Sequence, residues 1–150
     1  MANTGQYGLD ALAHIRLNVK AAVDLPEGSL FGLDANGEAI LADAGTPVRA
    51  IGVVVDGSLA KWGAEKVFNN ASVKTAGDYL DANKYAQVEA VLGTYSYAQI
   101  GVKLYLGAGG AFTLTENSTS TELNQVVGYV ATRSTVVLDL TIDTEGAIVA

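Results

Sequence analysis

Cysteine is absent from this chain of 150 residues, so neither a disulfide framework nor a thiolate metal site is available. Stability has to come from packing, backbone pairing or association with other chains. Histidine is almost absent too. A nucleophilic triad needs a base beside its nucleophile and a third group to orient that base, and the single His14 lies near the N-terminus, so no rigid triad can be placed. His14 reads instead as an exposed or packing residue. Basic side chains are scarce: 9 Lys and Arg against 16 Asp and Glu give a net charge of −7, which repels phosphate backbones and argues against nucleic acid as a partner. No stretch approaches the roughly 20 apolar residues of a membrane span. The opening Met1-Ala2-Asn3-Thr4-Gly5-Gln6-Tyr7-Gly8 has neither a basic nor an apolar leader pattern, so a protein soluble where it is made, with no membrane partner, is expected.

Charge of either sign is thin. Charged residues are 17% of the chain and apolar ones 49%, whereas a freely soluble monomer usually carries ~25–35% charged residues on its surface. Part of this surface is therefore expected to be covered by partners.

What is present is β texture. The first 24 residues differ from the rest: polar and Gly-rich at first, they then offer only a weak pattern at Leu9, Leu12, Ala13 and Ile15, and they read as an arm preceding a β domain over 25–150. Leu25-Pro26-Glu27-Gly28 is a turn, since Pro presets φ and Gly tolerates a positive one. Ser29 to Leu33 and Glu38 to Ala42 then form a hairpin across Asp34-Ala35-Asn36-Gly37, with Asn-Gly supplying left-handed conformations. Val48 to Val55 is a β-branched strand in which Gly52 marks a bulge or a close backbone approach.

The same order of parts then recurs. Leu33-Asp34-Ala35-Asn36 returns verbatim as Leu80-Asp81-Ala82-Asn83, and Ala50-Ile51-Gly52-Val53 has a counterpart in Gln99-Ile100-Gly101-Val102. A looser third copy runs from Leu106 through the turn Gly107-Ala108-Gly109-Gly110 and the strand Ala111 to Thr115, ending at Val127-Gly128-Tyr129. A modular β fold is the expectation. Good helix formers between Asp78 and Leu92 offer a competing helix, but the alternation of Tyr85, Gln87 and Glu89 with Ala86, Val88 and Ala90 suits a half-buried strand. Ser118 to Thr121 is a polar loop, and Thr135 to Ile142 is a final strand before a mobile tail.

Motifs that carry chemistry are weak. Asp34, Asn36 and Gly37 superficially resemble the start of a calcium loop, yet the further acidic ligands are missing. The Gly107 to Gly110 run lacks the Gly-Lys-Ser/Thr of a phosphate cradle. Two N-x-[ST] matches, at Asn70 and Asn117, have no secretory context. Ser–Lys or paired-carboxylate chemistry would meet in space and not in sequence, and nothing points to it, so no enzyme activity, metal or cofactor is expected. Trp62 with Tyr95, Tyr97, Tyr105 and Tyr129 provides either packing or an aromatic surface for sugar or protein. The second use makes a carbohydrate- or protein-binding β module of a tail fibre or cell-surface assembly the alternative function.

The run Leu25 to Ala39, followed by Ala50-Ile51-Gly52-Val53-Val54, Gly101 to Leu106 and Val127 to Ala131, resembles the capsid cement, or decoration, proteins of tailed bacteriophages, including those with a β-tulip fold. The likeness covers about Leu25 to Ala131 and lies in the order of turns and strands. It implies a mainly β, barrel-like or tulip-like domain of hairpins with little helix. It also implies a homotrimer at threefold positions on the outer surface of a virion, made in the host cytoplasm. Such a protein clamps the major capsid protein against internal DNA pressure. The capsid-binding arm of that family would fall on Asn3, Thr4, Gly5, Gln6, Tyr7, Gly8 and Leu9, whose backbone could add a strand to the shell, unless Leu9 to Ile15 is helical and docks by an apolar face.

Overall fold

A computed structural model describes residues 14–26, 28–55, 67–68, 73–83, 85–89, 94–143 and 146–150. Asn3 to Leu9, Trp62 and Asn70 lie outside the described residues. In chain order the strands are β1 His14–Lys20, β2 Leu25–Pro26, β3 Leu30–Leu33, β4 Ala39–Leu41, β5 Gly52–Val55, β6 Val67–Phe68, β7 Val73–Lys74 and β8 Tyr79–Asn83. They continue as β9 Tyr85–Glu89, β10 Lys103–Leu106, β11 Phe112–Thr113, β12 Leu123–Asn124, β13 Val126–Val130, β14 Thr135–Asp139 and β15 Ala147–Ile148. A short 3-10 helix, Tyr97–Gln99, is the helical element of the described residues. The protein is mainly β, as its short β-branched runs predict.

Two sheets carry the architecture. One has the order β1-β8-β5-β3-β4 and the other β11-β10-β13-β14-β9-β6, while β2 pairs with β7 and β12 with β15. All of these pairings are antiparallel except the parallel one between β6 and β9. Successive strand side chains point to opposite faces, so Leu30 and Val53, paired across β3 and β5, enter one core while Phe31 and Val54 enter another. The larger core joins the two sheets through Leu104, Leu106, Val130, Val136 and Leu138. On the far side of the first sheet, the smaller core gathers Ala21, Leu25, Ala39 and Leu80. Central strands buried on both faces lose polar alternation, which is why Leu30-Phe31 and Val53-Val54 read as continuous apolar pairs.

The edges of the first sheet meet at one point. A parallel bridge joins Ala21, just past β1, to Ala39 at the start of β4, and the Ala22 N–H donates to the Ala39 carbonyl at 2.9 Å. Elsewhere those edges stay apart, so among the described residues the sheets form no closed barrel. His14 to Lys20, placed by sequence in the arm, are an edge strand of this sheet, paired His14 to Asn83 and Lys20 to Tyr79.

The first hairpin forms where expected, with Phe31 opposite Leu41 and Leu33 opposite Ala39. Its turn differs in detail. Gly37 alone is left-handed, at φ 77°, and the Gly37 N–H reaches the Asp34 carbonyl at 3.1 Å while the Asp34 N–H donates to the Glu38 carbonyl at 2.9 Å. Three residues therefore close the loop, which needs one left-handed glycine rather than the two left-handed residues of a two-residue turn. Tyr85 to Glu89 is a strand and not a helix.

Two other expectations are corrected. The repeated tetrapeptide is no structural repeat: Leu33 to Asn36 ends a strand and enters a turn, whereas Leu80 to Asn83 lies within β8. Likewise Gly52 opens β5, but Gly101 sits in a turn at φ 85°. The mobile tail is not loose either: β14 stops at Asp139, and Ala147–Ile148 returns to pair with Leu123–Asn124.

Candidate functional site

The most conspicuous outward feature begins as a run of backbone bonds. From Ser96 to Val102 the chain turns tightly: the Ile100 N–H donates to the Tyr97 carbonyl at 3.3 Å, the Val102 N–H to the Gln99 carbonyl at 3.0 Å, and the Ser96 N–H to Gln99 Oε1 at 2.9 Å. This turn is tied to the β13–β14 hairpin. The Gly101 N–H donates to the Val130 carbonyl at 2.7 Å, the Tyr95 N–H to the Arg133 carbonyl at 3.0 Å, and Arg133 Nε back to the Tyr95 carbonyl at 3.3 Å. Tyr95 anchors the segment by entering the larger core. With its ends fixed, the turn holds Tyr97, Ile100 and Val102 outward at 76%, 43% and 40% exposure.

The Arg133 guanidinium lies 4.8 Å from the centre of the Tyr97 ring, a cation–π distance. Lys103 is exposed immediately beyond Val102. The segments that build this patch, 90–115 and 123–138, contain no Asp or Glu, although the chain has 16 acidic residues. An acidic protein thus presents one apolar, cationic corner.

A second feature lies at the other end of β10. The turn Gly107 to Gly110 packs onto the first hairpin, the Gly110 N–H donating to the Ala42 carbonyl at 2.6 Å and the Leu30 N–H to the Gly110 carbonyl at 3.0 Å. Between this turn and the 113–122 loop opens a cleft of about 360 Å³ lined by Asp43, Glu116 and Glu122 with Thr113, Thr115 and Asn117. Its carboxylates are partly engaged. Asp43 Oδ1 accepts the Gly45 N–H at 2.7 Å, Glu122 Oε2 accepts Asn117 Nδ2 at 2.7 Å, and Glu116 Oε1 accepts Asn124 Nδ2 at 2.9 Å. The remaining oxygens, Glu122 Oε1 and Glu116 Oε2, leave the cleft acidic.

The buried polar centre is structural. Gln125, wholly buried, accepts the Ala50 N–H at 2.9 Å and donates to the Ala50 and Asp143 carbonyls at 3.0 and 3.1 Å. It fastens the approach to β5 and the C-terminal turn to β13. Burial raises the Tyr95 phenol above its ordinary pKa of 10.0.

The tyrosines considered together by sequence separate in space. Tyr95 is buried, Tyr105 and Tyr129 are half-buried and Tyr97 is exposed, so only Tyr97 of these offers an open face. Asp34, the head of the apparent calcium loop, has its Oδ1 occupied by the N–H groups of Asn36 and Glu38 at 2.8 and 3.0 Å, as a turn requires. Asn117 sits in the cleft wall. Among the described residues there is no group of three or more His, Cys, Asp or Glu placed to hold a metal ion, and no helix long and apolar enough to cross a membrane. The acid-free runs that mark the apolar corner were visible in the sequence, but only their junction in space makes them a patch. No protein-family model matches the chain, and no curated protein is similar to it.

Proposed function

We propose that this chain is a structural virion protein, a cement or decoration protein that binds the outer surface of a phage capsid as a trimer and braces neighbouring major capsid subunits against DNA pressure. The observation that carries this reading is the exposed apolar corner at Tyr97, Ile100 and Val102, held by backbone bonds to β13 and β14. Aromatic and aliphatic side chains fixed outward on a rigid turn lose little entropy on docking, which suits a protein-binding surface. An outer position suits the acidic balance, because packaged DNA would repel a net charge of −7. The resemblance to the cement family supplies the partner, and multivalency the strength, since a trimer engages three sites at once.

Residues 1–13 precede β1, an edge strand, and so join the body at a sheet margin. In this reading they are the arm that adds a strand to the shell. Co-sedimentation with expanded capsids of the cognate phage tests it. The full chain is expected to pellet with the shells and a chain lacking residues 1–13 to bind weakly. A full chain that stays in the supernatant overturns the function, and undiminished binding by the shortened one overturns the arm.

A further inference from the structure

The apolar corner and the acidic cleft sit at opposite ends of one strand. Val102 and Lys103 begin β10, and Leu106 and Gly107 end it at the cleft. Five residue steps at about 3.3 Å each separate Val102 from Gly107 by on the order of 17 Å. Within one chain the two surfaces cannot touch. Between chains they complement each other in charge and shape: one offers Tyr97 under Arg133 with Lys103 beside it, the other an open cleft of about 360 Å³ edged by Asp43, Glu116 and Glu122. A cleft of that size falls in the range that accepts small ligands or single large side chains, ~300–1,000 Å³. Tyr and Arg are the residues that most often dominate such contacts.

We propose that copies of this chain associate head to tail, the Tyr97–Arg133 corner of one seating in the Asp43–Glu116–Glu122 cleft of the next. The contact is heterologous, joining different patches on the two copies, so it closes into a ring when successive rotations return to the start. It gives the proposed trimer an interface made of named residues. It rests on that self-association and not on shell binding. Because its charged part is solvent-exposed, added salt weakens it.

Sedimentation velocity and light scattering on the full chain test the pairing, with circular dichroism to verify folding. Wild type is expected above the 15.5 kDa of a single chain. Arg133→Glu, Tyr97→Ala and Glu116→Arg are each expected to fall toward that mass. Combining Arg133→Glu with Glu116→Arg on one chain restores the opposite-charge contact and is expected to restore the assembly. A wild type that is monomeric at all concentrations overturns the pairing, and so does a loss with the corner variants but none with Glu116→Arg. Shell binding, read separately, keeps the two proposals apart: a monomer that binds shells removes only the pairing, and a ring that ignores shells removes only the capsid function.

Discussion

Gly128 occupies the middle of the second sheet, between Leu104 of β10 and Leu138 of β14. A Cβ there would collide with the Val137 carbonyl oxygen and stand 3.0 Å from the Leu138 Cα, and backbone atoms cannot swing aside as a side-chain end can. Gly128→Ala is expected to cost about 3 kcal/mol, the upper part of the range for overpacked interiors. Gly37→Ala provides the contrast. Nothing lies within 4 Å of its missing Cβ, and the penalty is only that of a left-handed φ of 77°, about 1–2 kcal/mol. Urea unfolding of both variants should rank them in that order, and a milder effect at Gly128 would mean that the strands separate more easily than their pairing implies.

Tyr95 makes a pH prediction at the same scale. Burial disfavours the phenolate, so the folded pKa lies above the unfolded value near 10.0. A neutral group favoured by the fold contributes stability that is complete below the unfolded pKa and lost as pH rises through the folded one. Stability should therefore fall on the alkaline side of pH 10.0. Tyr95→Phe should fall less steeply there while behaving like wild type at neutral pH. Parallel curves for the two proteins across that alkaline range would show that Tyr95 is not the group responsible.

At the scale of elements, the smallest strand pair holds the end of the chain. Ala147–Ile148 pairs with Leu123–Asn124, and beyond the ladder the Thr121 N–H donates to the Val149 carbonyl at 2.8 Å and the Val149 N–H to the Glu122 carbonyl at 2.9 Å. Removing residues 147–150 should release the Thr121 amide to rapid hydrogen exchange while the amides of β13 and β14 keep their protection. Spread of fast exchange into β14 would show instead that the tail supports the whole second sheet. This pair was illegible in the sequence because two residues carry no period, and a tail ending in small and apolar residues looks unattached. The first hairpin was legible because Asn36-Gly37 announces a turn and apolar runs flank it. The repeated Leu-Asp-Ala-Asn misled for a physical reason: four residues do not fix a conformation, and one copy is followed by Gly37, which permits a left-handed turn, while the other is followed by Lys84. The exposed corner escaped notice since Tyr95 and Tyr97 look alike in sequence and differ only in what packs against them.

On the scale of the whole molecule, β3 and β5 belong to two cores at once. Leu30 and Val53 face the core shared with the second sheet, and Phe31 and Val54 face the core closed by Ala21, Leu25, Ala39 and Leu80. Losing either core strips one face of the same two strands, so neither core should survive the other. Leu104→Ala in the larger core and Leu80→Ala in the smaller should each cost about 2–5 kcal/mol. Both should shift one shared unfolding transition rather than create a second. Far-ultraviolet circular dichroism, which follows the strands, and near-ultraviolet circular dichroism, which follows the packed tyrosines, should then move together in every variant. If Leu80→Ala gave an early transition in one signal only, the smaller core would be a separable layer. If the signals stay coincident, the five-stranded sheet is the common wall through which the sheet margin next to residues 1–13 and the Tyr97 corner remain mechanically one body.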